Sequence, residues 1–268
     1  MRFKPTVFDL RAGKGRIQRT NVFVRTAPEA AAAEAAGIDI INTAFFSAPE
    51  VKAIREAAPT AFLVSGIGFG SAPTLDDHLR QACELYQLGV DAIYCVGSLG
   101  VISRLADEGF PIMSHVGLIP SKATWTGGFR AVGKTADSAI ALWQQIRRLE
   151  DVGAFGAEIE VVPAEVASAI SSRTSLFMVS MGAGAGCDAQ YLFLEDIIGS
   201  HDGHYPRHAK RYRDFHSEHE RLRRETVAAL EEYIDDVKTG RFPAVSNLVP
   251  IDPAELSDFL SRLKVPSD

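Results

Sequence analysis

Residues 111–115 read PIMSH and residues 155–162 read FGAEIEVV. Both runs are short and mostly apolar, and helical patterns stand before them, over 101–108 and 136–152. Such runs are strands buried on both faces, as a parallel sheet requires. Each also carries chemistry at its end: His115 closes the first, and Glu160 lies near the close of the second. In an extended chain Glu158 and Glu160 share one face, so the second run sets two carboxylates in one column.

Working outward, strand and helix patterns alternate along the chain. Strands are expected at Asn21–Val24, Ile38–Asn42, Thr60–Ser65, Asp91–Val96, Pro111–His115, Phe155–Val162, Ser175–Ser180 and Tyr191–Leu194. Helices are expected at 28–36, 49–57, 74–88, 101–108, 136–152 and 164–171, with Thr74 capping the third of them. Eight strands alternating with helices in a chain of 268 residues predict a closed (β/α)8 TIM barrel. No linker or internal repeat is evident, so the reading is a single domain, 1–268. A charged helix over 218–238 and a short one near 253–263 form a C-terminal extension from about 215. Barrel enzymes keep their working groups at the C-terminal ends of the strands, and that is where His115 and Glu160 fall.

Composition narrows the function. Apolar residues make up 46% and charged residues 23%, with a net charge of −6. That balance fits a globular protein with a large core and disfavours nucleic acid as a partner. No apolar run approaches the roughly 18 residues of a membrane helix, and the basic N-terminus lacks the apolar stretch of a signal peptide. The three cysteines, Cys83, Cys95 and Cys187, fit no zinc or redox spacing and are read as reduced thiols. Cys83 and Cys95 are expected to be buried, and Cys187, after a glycine run, exposed. That odd, sparse set suggests a cytosolic protein.

Other features have a bland reading beside the chemical one. Gly182–Gly186 offers either an anion cradle or a tight barrel turn. Residues 128–135 formally match a P-loop, but they follow a long polar segment, not a strand. The histidines 201, 204, 208, 216 and 219 are crowded by arginine and lysine, which favours a solvated surface over a metal site. The long segment 117–135, with Trp125 and Phe129, reads as a binding loop.

The stretch from 111 to 242 resembles ketopantoate hydroxymethyltransferase. PIMSHVGLIP (111–120), GGFRAVGKT (127–135), LEDVGAFGAEIEVVPAEVA (149–167), MGAGAGCDAQ (181–190) and GHYPRHAKRY (203–212) carry the resemblance, in the family's order. It implies the barrel of the phosphoenolpyruvate mutase and isocitrate lyase group, a small-molecule substrate, a homo-oligomer and a cytoplasmic home. It places Glu160 on the family's catalytic base and His115 on its strand-five histidine. The family's Mg²⁺ ligands fall on Phe45, Gly66 and Val96, none of which offers a hard oxygen side chain. Its substrate-binding lysine falls near Tyr94.

The expectation is therefore an enzyme that makes or breaks a C–C bond beside the carbonyl of a small oxo acid, without the family's Mg²⁺. Glu160 moves the proton. His115 and Tyr94 polarise an oxygen or carry a second proton. Thr43, Phe45, Phe46 and Ser65 contact substrate, and Phe45, Phe46, Ile67 and Phe69 dry the pocket. Two alternatives stand beside it: the parent reaction with metal ligands recruited elsewhere, and a non-catalytic barrel that binds a metabolite.

Overall fold

The computed structural model describes residues 3–68 and 70–263; Phe69 lies outside them. Eight parallel strands close on themselves: β1 (Arg19–Phe23), β2 (Ile40–Ala44), β3 (Phe62–Gly66), β4 (Ala92–Tyr94), β5 (Ile112–Gly117), β6 (Gly156–Glu160), β7 (Phe177–Met181) and β8 (Ala189–Phe193), with β8 paired to β1. The helices of this unit are α1 (Val7–Ala12), α2 (Ala27–Ala36), α3 (Ala48–Ala57), α4 (Leu75–Gln87), α5 (Leu99–Asp107), α6 (Ala136–Asp151), α7 (Ala164–Ser171) and α8 (Leu194–Ile198). The expected closed barrel is the observed fold.

Alternation along each strand splits the apolar residues into two cores. One lies inside the barrel, where Ile40, Phe62, Val64, Ala92, Met113, Phe177, Val179 and Tyr191 meet. The other lies between strands and helices, with Ile41, Leu63, Ile93, Val116, Ile159 and Met178 facing outward onto the helical layer. Burial on both faces is what the near-continuous apolar runs demanded.

Helix starts follow local chemistry. Thr74 caps α4, and Asp77 reaches back to its N–H; Thr26 with Glu29 does the same for α2. The N-terminal segment differs from its reading as a bare basic stretch. Thr6 and Asp9 form a capping box that starts α1, and Leu10, wholly buried, packs with Phe62, Phe155 and Phe177 inside the barrel. Asp188 ties this end together: it takes the Lys14 ammonium at 2.7 Å and the N–H groups of Gly15 and Met178 at 3.0 and 2.8 Å. β8 starts two residues before the expected Tyr191 and ends at Phe193, because Leu194 opens α8.

The glycine run after β7 is a packing device. A Cβ on Gly184 or Gly186 would sit 2.5 Å from Ala164 or Ser168, so these glycines let the turn press against α7. Two cysteine expectations are corrected. Cys83 is exposed, on the outer side of α4, and Cys187 is buried, where burial pushes its thiol up to about 12. Cys95 is buried as expected.

Residues through Asp214 form one compact unit, and the chain from Phe215 forms a second. The second holds α9 (Phe215–Thr239) and α10 (Pro253–Arg262). No residue of either helix is buried. Leu222, Val227, Leu230, Tyr233, Ile234 and Val237 leave an apolar stripe open along α9.

Candidate active site

The register of β5 and β6 sets the site. His115 pairs with Glu158, and Gly117 with Glu160, so an imidazole and two carboxylates enter the barrel mouth from neighbouring strands. All three are buried, at 5%, 4% and 7% exposure. β4 adds Tyr94 from the other side of β5. Its hydroxyl donates to Glu158 Oε2 at 2.9 Å and lies 2.5 Å from His115 Nδ1. A phenol has one proton, so with Tyr94 donating to Glu158 the Nδ1–H of His115 donates to the phenol oxygen. Nε2 then faces Glu160 Oε2 at 3.1 Å, close enough for a hydrogen bond but without its alignment. The four side chains form one line, hydrogen-bonded from Glu158 through Tyr94 to His115 and ending in the 3.1 Å contact with Glu160.

Burial and neighbouring charge set the protonation of this line. Burial, then the charge of Glu160, holds the Glu158 carboxyl above the usual range, against the pull of His115 and Tyr94. Burial works against a charged His115, but the carboxylates of Glu158 and Glu160 outweigh it and raise the imidazole above its ordinary value. Burial and Glu158 drive the Tyr94 phenol well above the range of a free phenol, so it stays protonated.

Above the line opens a cavity of about 1600 Å³. Tyr94, His115, Glu158, Glu160, Asn42 and Tyr191 line its floor. Asn42 is 5% exposed, and its Oδ1 has no partner. Arg130, Lys134, Arg207, His204 and His208 line the same cavity, and all but the half-buried His208 are exposed. Arg130, Lys134 and Arg207 make no ion pair among the described residues. The floor is acidic and the rim basic. His201 is turned aside, stacked on Tyr205 and 3.1 Å from Asp196.

The expected residues fall into two groups. Glu160, His115 and Tyr94 meet in the line, and Thr43 is among the cavity's lining residues. Ser65, Phe45 and Phe46 are not among them. Ser65 alternates onto the helix side of β3, wholly buried with its Oγ unpartnered. Phe45 packs against the outer core, and Phe46 is 46% exposed. Tyr191 and Asn42 went unread, though period-2 alternation along their strands points both inward.

The positions that the resemblance assigns to the Mg²⁺ ligands carry no ligand side chain. Phe45, Gly66 and Val96 stand at or just beyond the ends of β2, β3 and β4, and they offer no oxygen side chain. Mg²⁺ demands several hard oxygens in near-octahedral array, so these positions do not fit it. Elsewhere, His115, Glu158 and Glu160 bring ligand atoms within 4.8 Å of one another, the one such group among the described residues. Tyr94 holds His115 Nδ1 and Glu158 Oε2, whereas Nε2 and Glu160 Oε2 only face each other at 3.1 Å.

A closed parallel barrel with carboxylates, an imidazole and a phenol at the strand ends defines the class, a (β/α)8 barrel whose polar groups gather at its mouth. 2,3-Dimethylmalate lyase, a solved member of the phosphoenolpyruvate mutase/isocitrate lyase superfamily, superposes with a TM-score of 0.50 at 12% identity over 96% of this chain and 93% of its own, a likeness of fold alone. The sequence profile of ketopantoate hydroxymethyltransferase matches residues 46–245, and the chain belongs to that family, one of C–C transferases of the aldol type. The 3-methyl-2-oxobutanoate hydroxymethyltransferase of Thermotoga neapolitana is 34% identical over 88% of this chain and 93% of its own. That of Deinococcus radiodurans is 35% identical over 82% and 84%, and that of Nitrosopumilus maritimus 34% over 79% and 75%. Among the described residues no helix is long and apolar enough to cross a membrane.

Proposed function

We propose that this protein makes or breaks a C–C bond beside the carbonyl of a small oxo acid or related carbonyl compound, and does so without Mg²⁺ at the family's position. The observation that carries this reading is the Glu160 carboxylate at the cavity floor, 3.1 Å from a buried imidazole. A carboxylate so placed takes the proton from the carbon beside the carbonyl. The charge that appears on the carbonyl oxygen then needs donors in place of a cation. The Asn42 side-chain amide lines the same floor and supplies one, and the Tyr94 hydroxyl supplies a second when it turns from Glu158 to the substrate. Thr43 contributes to the wall, and the basic rim suits an anionic group on the substrate.

Isotope exchange tests the reading. In D₂O the protein should exchange the C–H next to the carbonyl of 3-methyl-2-oxobutanoate or another 2-oxo acid. Glu160→Gln should abolish the exchange while the thermal melt stays intact; unchanged exchange removes Glu160 from the mechanism.

One competing reading has an observation behind it. The 4.8 Å grouping of His115, Glu158 and Glu160 would suit the parent reaction run with a relocated metal. Metal analysis of purified protein, and turnover with and without chelator, separates the two. The open stripe on α9 supports a homo-oligomer built on the second unit, and membership of the family supports a cytoplasmic setting.

A further inference from the structure

We propose that a hollow between α5 and α6, on the outer side of β5, is a binding site for a small organic phosphate. The site is separate from the reaction cavity and stands whether or not the proposed chemistry does. Its volume is about 450 Å³, within the usual size of small-molecule sites. The start of α5, Lys122 from the segment after β5, and Arg148 of α6 line it, with Ser114 of β5 at the inner end. No acidic side chain lines it.

Ser114 is the observation that points to a ligand. Along β5, Met113 packs inside the barrel, while Ile112 and Val116 pack against the helices. Ser114 shares their outward face by the period of 2. It is 3% exposed, it lines the hollow, and its Oγ has no hydrogen-bond partner among the described residues. A buried hydroxyl left bare carries a free-energy cost that an oxygen of a ligand removes.

The surroundings of that hydroxyl select an anion. Ser98 Oγ caps α5 by taking the Val101 N–H at 3.3 Å, and the N–H groups of Leu99 and Gly100 have no partner within the helix. Such a helix start favours negative charge. Two cations line the same space. The Lys122 ammonium is held there by a hydrogen bond to Val96 O at 2.6 Å. Arg148 is exposed and pairs with no carboxylate among the described residues, whereas its neighbour Arg147 pairs with Glu150 at 2.8 Å. A carboxylate would bring one charge and two oxygens. A phosphate monoester brings up to two charges and three free oxygens, which match two cations, a buried hydroxyl and a helix N-terminus. Ile102, Ile119 and Leu149 add an apolar wall, so the phosphate carries an organic group. Val96, His115 and Ile119 line this hollow and the reaction cavity alike, so the site backs onto the acid–base groups.

Calorimetry on the full chain, with phenyl phosphate as probe, tests the site. The basic rim of the reaction cavity also attracts anions, so the titrations use the variant with Arg130, Lys134 and Arg207 all replaced by Gln. There phenyl phosphate should still bind at millimolar concentration, one molecule per chain. Adding Arg148→Gln should weaken binding by about 10-fold or more, the scale of one lost charge-assisted hydrogen bond. Its thermal melt without ligand should stay unchanged, because the guanidinium holds no carboxylate. Adding Ser114→Ala instead should also weaken binding. Inorganic phosphate, which lacks the organic group, and benzoate, which carries one charge, should each bind more weakly than phenyl phosphate. No binding in the rim variant, or an affinity indifferent to Arg148→Gln, would overturn the site. Benzoate bound as tightly as phenyl phosphate would overturn the choice of phosphate.

Discussion

Gly117 and Glu160 lie side by side across β5 and β6, so close that a Cβ on Gly117 would overlap the Glu160 carbonyl oxygen. Gly117 also holds φ at 85°, a left-handed backbone that side chains resist. Gly117→Ala should therefore push the end of β6 outward and take the Glu160 carboxylate with it. We expect a stability loss of about 1–3 kcal/mol and a turnover loss of at least about 10-fold, since a misplacement near 1 Å can cost 100-fold. Thermal melting and turnover, measured together, check it; unimpaired turnover would mean the strand end does not hold the base.

Chelation should leave the protein working. With Phe45, Gly66 and Val96 where oxygen ligands would be needed, turnover should be the same in Mg²⁺ and in excess chelator. Calorimetry should show no Mg²⁺ binding at millimolar concentration. A chelator-sensitive rate restored by one divalent ion would return the metal to the mechanism.

Stability should fall as pH rises. Glu158 and His115 are both held above their usual values of 4.5 and 6.5, so the folded chain binds protons that the unfolded chain has released. Their contribution is complete below those usual values and is lost as pH climbs through the higher folded ones. The melting temperature should decline as pH rises past those usual values and through the raised folded ones, and Glu158→Gln should flatten the slope. A slope unaltered in Glu158→Gln would show that the carboxyl is not held protonated by the fold.

The basic rim should act on binding, not on chemistry. Replacing Arg130, Lys134 and Arg207 together by Gln should raise KM for an anionic substrate by about 10-fold or more, with kcat nearly kept, because rim charges attract ligand without touching reacting atoms. The effect should shrink as salt rises. A fall in kcat at constant KM would contradict this assignment.

The stripe on α9 should hold subunits together. Leu230→Asp with Ile234→Asp should shift the protein to a smaller species in sedimentation while the barrel's own melt survives. An unchanged sedimentation coefficient would leave the stripe without that role.

Most of the barrel was legible because its strands are buried on both faces, and unbroken apolar runs such as PIMSH are hard to read as anything else. The column of Glu158 and Glu160 was legible for the same reason: period 2 is strict in a strand. Contacts between strands were not. Nothing in the spacing of residues 94, 115 and 158 reveals that a phenol from β4 reaches past His115 to Glu158, because the stagger of a closed barrel decides it. Ser65 shows the opposite limit. It stands near a strand end where chemistry was expected, yet the pleat turns it toward the helices. α1 was missed because six residues carry little periodicity, and the Thr6–Asp9 box was its one signal.

Val161, directly after Glu160, holds φ at 50°, a conformation a β-branched residue adopts only under constraint. The constraint is visible: its N–H bonds Met181 O, its carbonyl takes the Val132 N–H, and the Glu160 carbonyl takes the Leu118 N–H. The base therefore stands on a clamped post with no slack to follow an incoming molecule. Accommodation of reactants of different size must fall to other parts of the lining, such as the 120–130 segment that carries Phe129 at 75% exposure. Breadth of substrate choice would then be altered by changes in that segment while the proton-moving strand is left untouched.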